Sequence, residues 1–225
     1  MLVRRIEVLP RIDRSQSAPL FDFKRKSIVL LSGISCLCRL LEEGSRQITS
    51  LYFPGDFCNL HSLNRTAPIL DLELRELIDC TFGAIDLDFL NDQLEQHPSL
   101  SFALWRAVMV EMYVSRTWLL NAMQKPAMER VAHLICEILA RQETSGLSNR
   151  SVLLTQLDIA DAAGLSAVHV NRTLQVLRGI GALSGLGRAI EVGDLEKLQR
   201  IAGFDDKYLK FPGIGLRWDV KLQIE

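Results

Sequence analysis

One stretch, LTQLDIADAAGLSAVHVNRTLQVLRGIGAL at residues 154–183, restricts the fold of this chain more than any other. Thr155 with Asp158 three residues later is a capping-box-like start for a short helix, TQLDIADAA. Gly164 stops that helix and permits a sharp turn, and Ser166 then caps a second helix. Two short helices joined by so tight a turn make a helix-turn-helix. On the second helix Val170, Leu174 and Leu177 recur at helical spacing and must face inward. The opposite face carries Val168, Arg172 and Gln175, flanked by His169 and Asn171. Those side chains suit a DNA major groove, because Arg pairs with guanine, Asn or Gln with adenine, and Val meets a thymine methyl.

Local charge agrees with that reading where global charge is silent. The formal charge of the whole chain is −1, so no general basic field marks a polyanion partner. Yet residues 164–190 contain no acid, while Arg172, Arg178, Arg188 and His169 lie among them. The amides at the two helix starts, near Thr155 and Ser166, are further phosphate donors. GALSGLGRAIEV then reads as two short strands around Gly185 and Gly187, a wing whose edge residue Arg188 can reach a phosphate.

The first half follows a different pattern. SIVLL, ISCLCRLL, QITSLYF, ILDLELREL and TFGAIDL are strand-length runs separated by turn signals, and LLEEGSRQI predicts a hairpin with Gly44 at its turn. Asp86 caps a helix, DLDFLNDQLEQH, that Pro98 ends. Residues 99–123 hold no Gly or Pro and span about 40 Å as a helix. Leu104, Val108, Val114, Trp118 and Ala122 form one apolar set, and Met112, Leu119 and Met123 another. A helix with two apolar faces needs two partners: its own β domain and a second copy, or a monomer core around it. Pro126 opens the next helix, AMERVAHLICEILARQ.

A β-rich half, a long helix and a winged helix-turn-helix together resemble the CRP/FNR family of bacterial transcription regulators. The similarity rests on QITSLYFPGDF, on ERVAHLICEIL and on residues 154–183, where Ser166, Val170 and Arg172 match the family's recognition-helix pattern. It implies an α+β fold: an antiparallel β-roll of cupin or jelly-roll type over residues 1–97, a dimerisation helix over 98–125, a winged helix-turn-helix over 126–203 and an extension over 204–225. It also implies a homodimer paired through Leu104, Val108, Met112, Val114, Trp118 and Leu119, bound to near-palindromic promoter DNA with Arg172 as the main base reader. RNA polymerase is then a candidate partner.

The effector is not named by the sequence. Cyclic-nucleotide pockets of that family place a Gly-Glu pair after the Gly-Asp-Phe turn and an Arg-Ser or Arg-Thr pair further on. Here Gly55-Asp56-Phe57 is followed by Cys58 and Asn59, and Asp71 stands where the arginine pair is expected. Gly55, Asp56, Asn59 and Asp71 remain the pocket candidates, with a cyclic nucleotide disfavoured and no cofactor expected. The five cysteines are scattered, which suits a reducing cytoplasm, and none of their neighbourhoods supplies four metal ligands. Cys58, in a loop, is the candidate redox thiol. No run approaches the roughly 18 apolar residues of a membrane helix. No catalytic motif is present, so an enzyme is not expected; the alternative is a dimeric effector- or redox-sensing scaffold without DNA binding.

Overall fold

The computed structural model describes residues 5–10, 25–42, 44–63, 72–147, 151–185 and 190–210. The architecture is α+β. In chain order it runs β1 (Glu7–Val8), β2 (Lys26–Leu40), β3 (Arg46–Tyr52), β4 (Glu73–Asp86), α1 (Leu87–Gln96), α2 (Pro98–Gln124) and α3 (Ala127–Thr144). It continues with β5 (Ser151–Val152), α4 (Gln156–Ala163), α5 (Ala167–Gly179), β6 (Leu183–Ser184), β7 (Ile190–Val192) and α6 (Leu195–Ala202). No helix among the described residues is long and apolar enough to cross a membrane.

The chain divides into two compact units. One comprises the chain up to Arg39 with Leu51–Glu111; the other joins Leu40–Ser50 to Met112–Lys210. The boundaries differ from a simple end-to-end division because the tip of the β2–β3 hairpin belongs with the C-terminal helices.

The first unit is built on an antiparallel sheet of order β1-β4-β2-β3. Its strands are fewer and longer than the five runs of the sequence. SIVLL and ISCLCRLL fuse into β2, because Gly33 between them is a bulge and not a turn. Gly33 has φ +88°, and a Cβ there would lie 2.3 Å from the carbonyl oxygen of Asp79. Only glycine allows that approach. Likewise ELREL and TFGAIDL are parts of one strand, β4. Alternation along β2 sends Ile28 and Leu30 into a cluster with Tyr52, Cys58, Leu74 and Phe82, and Val29 into another with Phe57, Ile85, Leu90 and Leu104. Asp86 caps α1, its carboxylate accepting from the amides of Asp88 and Phe89.

In the second unit α3 packs against α4, α5 and α6. Val131, Ile135, Ile138, Ile159, Val170, Leu174, Leu177 and Leu198 are fully buried there. A three-stranded sheet of order β5-β7-β6 forms the wing's base. Strand β5 is a two-residue strand just ahead of the Thr155 cap. The start of the predicted extension is also part of this unit: Phe204 and Tyr208 pack on the His133 ring.

One polar network runs through this core. Glu137 is fully buried, and its Oε2 accepts from Trp118 Nε1 at 2.9 Å and from the Tyr208 hydroxyl at 2.6 Å. His133 Nε2 lies 3.1 Å from the same hydroxyl and Nδ1 lies 3.4 Å from Lys125 Nζ, which donates to the Ala202 carbonyl. Burial raises the Glu137 carboxyl above its ordinary range, opposed by Arg141 and by its hydrogen bonds. Burial, then the Lys125 ammonium, lowers the His133 imidazole to about 4.

Candidate nucleic-acid interface

The helix-turn-helix forms from local instructions. The Thr155 hydroxyl accepts from the Asp158 amide at 3.1 Å, and Asp158 Oδ2 accepts from the Thr155 amide at 3.0 Å and from its hydroxyl at 2.7 Å, a closed capping box. Gly164 ends α4 in the left-handed region with φ +62°. Ser166 caps α5 by accepting from the His169 amide. Arg130 of α3 donates to the Ala163 carbonyl and so ties the end of α4 to its support.

The two faces of α5 separate as their residue types require. Val170, Leu174 and Leu177 are fully buried. Val168, His169, Arg172 and Gln175 are exposed, Val168 at 63%. Val176, not singled out in the sequence, is exposed beside them. Asn171 is half-buried and its amide nitrogen donates to Gln156 Oε1 at 2.9 Å, a strut between α4 and α5. Thr155 is exposed, but its amide and hydroxyl are already engaged by Asp158, so the main-chain donors open to a phosphate are those one and two residues further on. Arg188 lies outside the described residues.

Helix α2 presents a second surface. Leu104 and Val114 are only 4% and 6% exposed, turned into their own chain, and Trp118 is half-buried with its indole on Glu137. These three are therefore inward anchors. The outward residues are Phe102, Trp105, Val108, Tyr113, Leu119, Leu120 and Met123, with Leu119 and Met123 at 60% and 68%. Met109 and Met112 are half-buried. Phe102, Trp105, Met109, Met112, Leu119 and Met123 fall on steps of three and four, interrupted only at Arg116, which is a heptad seam. The sequence held that signal, but reading two apolar sets without knowing which faced inward hid Phe102 and Trp105.

The sheet unit places its pocket candidates differently. Gly55 adopts φ +98° in the turn after β3, where Asp56 Oδ2 accepts from the Phe53 amide at 2.8 Å. Asn59 is buried; it accepts from the Ile28 amide at 2.7 Å and donates to the Lys26 carbonyl at 2.9 Å. Both side chains thus pin this loop in place. Asp71 lies outside the described residues. All five cysteines are buried, and Cys58 is no exposed loop thiol: burial, then the Asp56 charge, pushes it well above its ordinary range. Among the described residues no group of three or more His, Cys, Asp or Glu is arranged to hold a metal ion.

A sequence profile of the Crp-like helix-turn-helix domain matches residues 129–201. The nitrogen fixation regulation protein FixK of Azorhizobium caulinodans is 27% identical over 177 residues, 77% of this chain and 70% of its own. The transcriptional activator protein FnrL of Cereibacter sphaeroides is 27% identical over 184 residues, 78% of this chain and 72% of its own. In three dimensions the chain is similar to FixK2 of Bradyrhizobium japonicum, with a TM-score of 0.70 at 22% identity over 89% of this chain and 98% of that one. At that identity the likeness speaks for the fold. These relatives are transcription factors, not enzymes. Residues 129–201 are a Crp-like helix-turn-helix domain, and the chain is similar to DNA-binding transcription regulators of the CRP/FNR type.

Proposed function

We propose that two copies pair along α2 and that each lays α5 in the major groove of one half of a near-palindromic promoter site. The observation that carries the reading of DNA is the split of α5: a fully buried face of Val170, Leu174 and Leu177, and an exposed face of His169, Arg172 and Gln175. Arg172 is the base reader, because its guanidinium can donate two hydrogen bonds to one guanine. Gln175 and Val168 supply a further hydrogen bond and a methyl contact. Asn171 acts first as a strut to α4.

Pairing through α2 is supported by its exposed seam from Phe102 to Met123. An apolar stripe of this length on a lone chain favours association over exposure to water. Two α5 helices on one face of the duplex would then sit about 34 Å apart. The sheet unit is the regulatory half, with an effector other than a cyclic nucleotide: Asp56 and Asn59 are committed to the loop, and no glutamate stands beside them. RNA polymerase is a further partner, and the work is done in the cytoplasm, where promoter DNA lies.

Fluorescence anisotropy on a duplex selected from a random library by the wild-type chain tests this, across a salt series. Binding should weaken steeply with salt and weaken further in Arg172→Ala. Salt-independent binding, or an Arg172→Ala variant indistinguishable from wild type, would remove α5 as the reading element. Sedimentation of the free protein as a monomer at micromolar concentration would remove the pairing.

A further inference from the structure

The hairpin tip between β2 and β3 grips the first helix of the DNA reader. Arg46 donates from Nη2 to Asp158 Oδ1 at 2.6 Å and from Nε to Asp161 Oδ2 at 2.8 Å. Beside it, Gln47 Nε2 donates to the Asp161 main-chain carbonyl at 2.7 Å. Arg46 is thus 112 residues from one partner and 115 from the other, and all three side chains are mostly buried.

These contacts do three things for α4. That helix has only 8 residues, too short to persist without outside support. Its last turn leaves carbonyls without intrahelical partners, and Gln47 fills the one at Asp161. Its two acids also stand on the helix whose start meets the DNA backbone, and Asp158 forms the capping box at that start. Left bare, they would add unpaired negative charge to the element that faces phosphate. One guanidinium on both carboxylates offsets that charge. Burial raises the Asp161 carboxyl, and Arg46 opposes the rise.

The grip also leaves the reading face open. Asp158 and Asp161 lie on the side of α4 away from the Gln156–Asn171 strut, and Val168, His169, Arg172 and Gln175 stay exposed. The contact therefore supports the reader and does not mask it.

The geometry points to Arg46 as a positioning residue for DNA binding: from the β2–β3 hairpin it sets α4, and through α4 the capping box and the strut to α5, without touching DNA. This rests on α4 and α5 being the DNA reader.

The test compares wild type, Arg46→Ala, Arg46→Lys, Asp161→Asn and the exchange Arg46→Asp with Asp161→Arg. It reads affinity for the selected duplex, the salt slope, and hydrogen exchange of the α4 amides without DNA. Arg46→Ala should bind about tenfold more weakly with an unchanged salt slope, and its α4 amides should exchange about tenfold faster. Arg46→Lys, able to meet one carboxylate at a time, should recover part of the loss. The exchanged pair should recover most of it. Asp161→Asn removes a partly buried charge and keeps the fold, so it should show the same pattern, about threefold.

Unchanged affinity and exchange in Arg46→Ala would overturn the proposal. So would a salt slope reduced by about one, which means Arg46 sits on a phosphate, or an exchanged pair no better than Arg46→Ala. If wild type itself shows no salt-dependent binding, the DNA reading fails, and the exchange rates still decide the grip.

Discussion

Along α2 the exposed side chains include Phe102, Trp105, Leu119 and Met123; along α5 they include His169, Arg172 and Gln175, with Val168 and Val176 beside them. Both helices bury one face against their own chain and leave the other open, so burial alone does not tell their purposes apart. Chemistry does. An open apolar face lowers its free energy by meeting another apolar face, whereas an open polar face with a guanidinium has no such drive and is suited to a hydrogen-bonding, negatively charged surface. The difference is the ground for the proposal that α2 meets a second copy and α5 meets DNA. The two helices also form differently. Helix α5 carries its own start signal in Ser166, while α2 depends on length and on anchors such as Leu104, Val114 and Trp118.

The sharpest way to break this contrast is to make the apolar face polar. Leu119→Glu with Met123→Glu changes two exposed residues, so the monomer fold should survive while sedimentation shifts from dimer to monomer. With one half-site lost, affinity for the palindromic duplex should fall by a factor of about 100 or more. An unchanged dimer would show that the exposed stripe is not the pairing surface.

Next in size is a pH effect in the network that links the end of α2, through Lys125 and Trp118, to the support of α5. His133 is held neutral, with its imidazole lowered to about 4 from 6.5 in the unfolded chain. A lowered basic group contributes stability that is complete above pH 6.5 and is lost as pH falls toward about 4, because the unfolded chain takes up the proton first. Glu137, raised by burial, acts in the opposite sense, losing stability as pH rises through its folded value. Comparing wild type with His133→Gln isolates the histidine. Between pH 6.5 and 4, urea unfolding should show wild type losing about 3 kcal/mol relative to the variant. Parallel pH profiles would mean that folding leaves the His133 imidazole unshifted.

On the polar face, Arg172→Ala should cost about 1–3 kcal/mol on the selected duplex and relax base preference at one position per half-site. An equal loss on every sequence would reassign Arg172 to the phosphate backbone. Smallest is the start signal itself: Ser166→Ala should lower stability by about 1 kcal/mol in thermal unfolding, with faster amide exchange confined to the first turn of α5. No effect there would mean packing of Val170 and Leu174 alone starts the helix.

How much was legible follows from the range of each interaction. Thr155, Asp158, Gly164 and Ser166 act on neighbours within a turn, and so the reader could be placed from spelling alone. Gly33 shows the limit of the same method. A glycine between two apolar runs reads as a break, yet here the Asp79 main chain, on a different strand, makes it a bulge inside one long strand. Cys58 shows another: its loop position suggested exposure, and the sheet that closes over it was not visible in the local sequence. The same holds for Asp56 and Asn59, whose partners Phe53, Ile28 and Lys26 are set by the loop's fold.

The sequence by itself determined the α+β class, the capped pair of helices and the inward and outward faces of α5, because helical period and capping act over three or four residues. Tertiary structure alone decided which members of the two apolar sets of α2 face inward, which polar side chains are spent on the loop after β3, and that Arg46 meets Asp158 and Asp161. Those outcomes depend on contacts between residues far apart in the chain, and no local propensity encodes which distant group will close over a side chain.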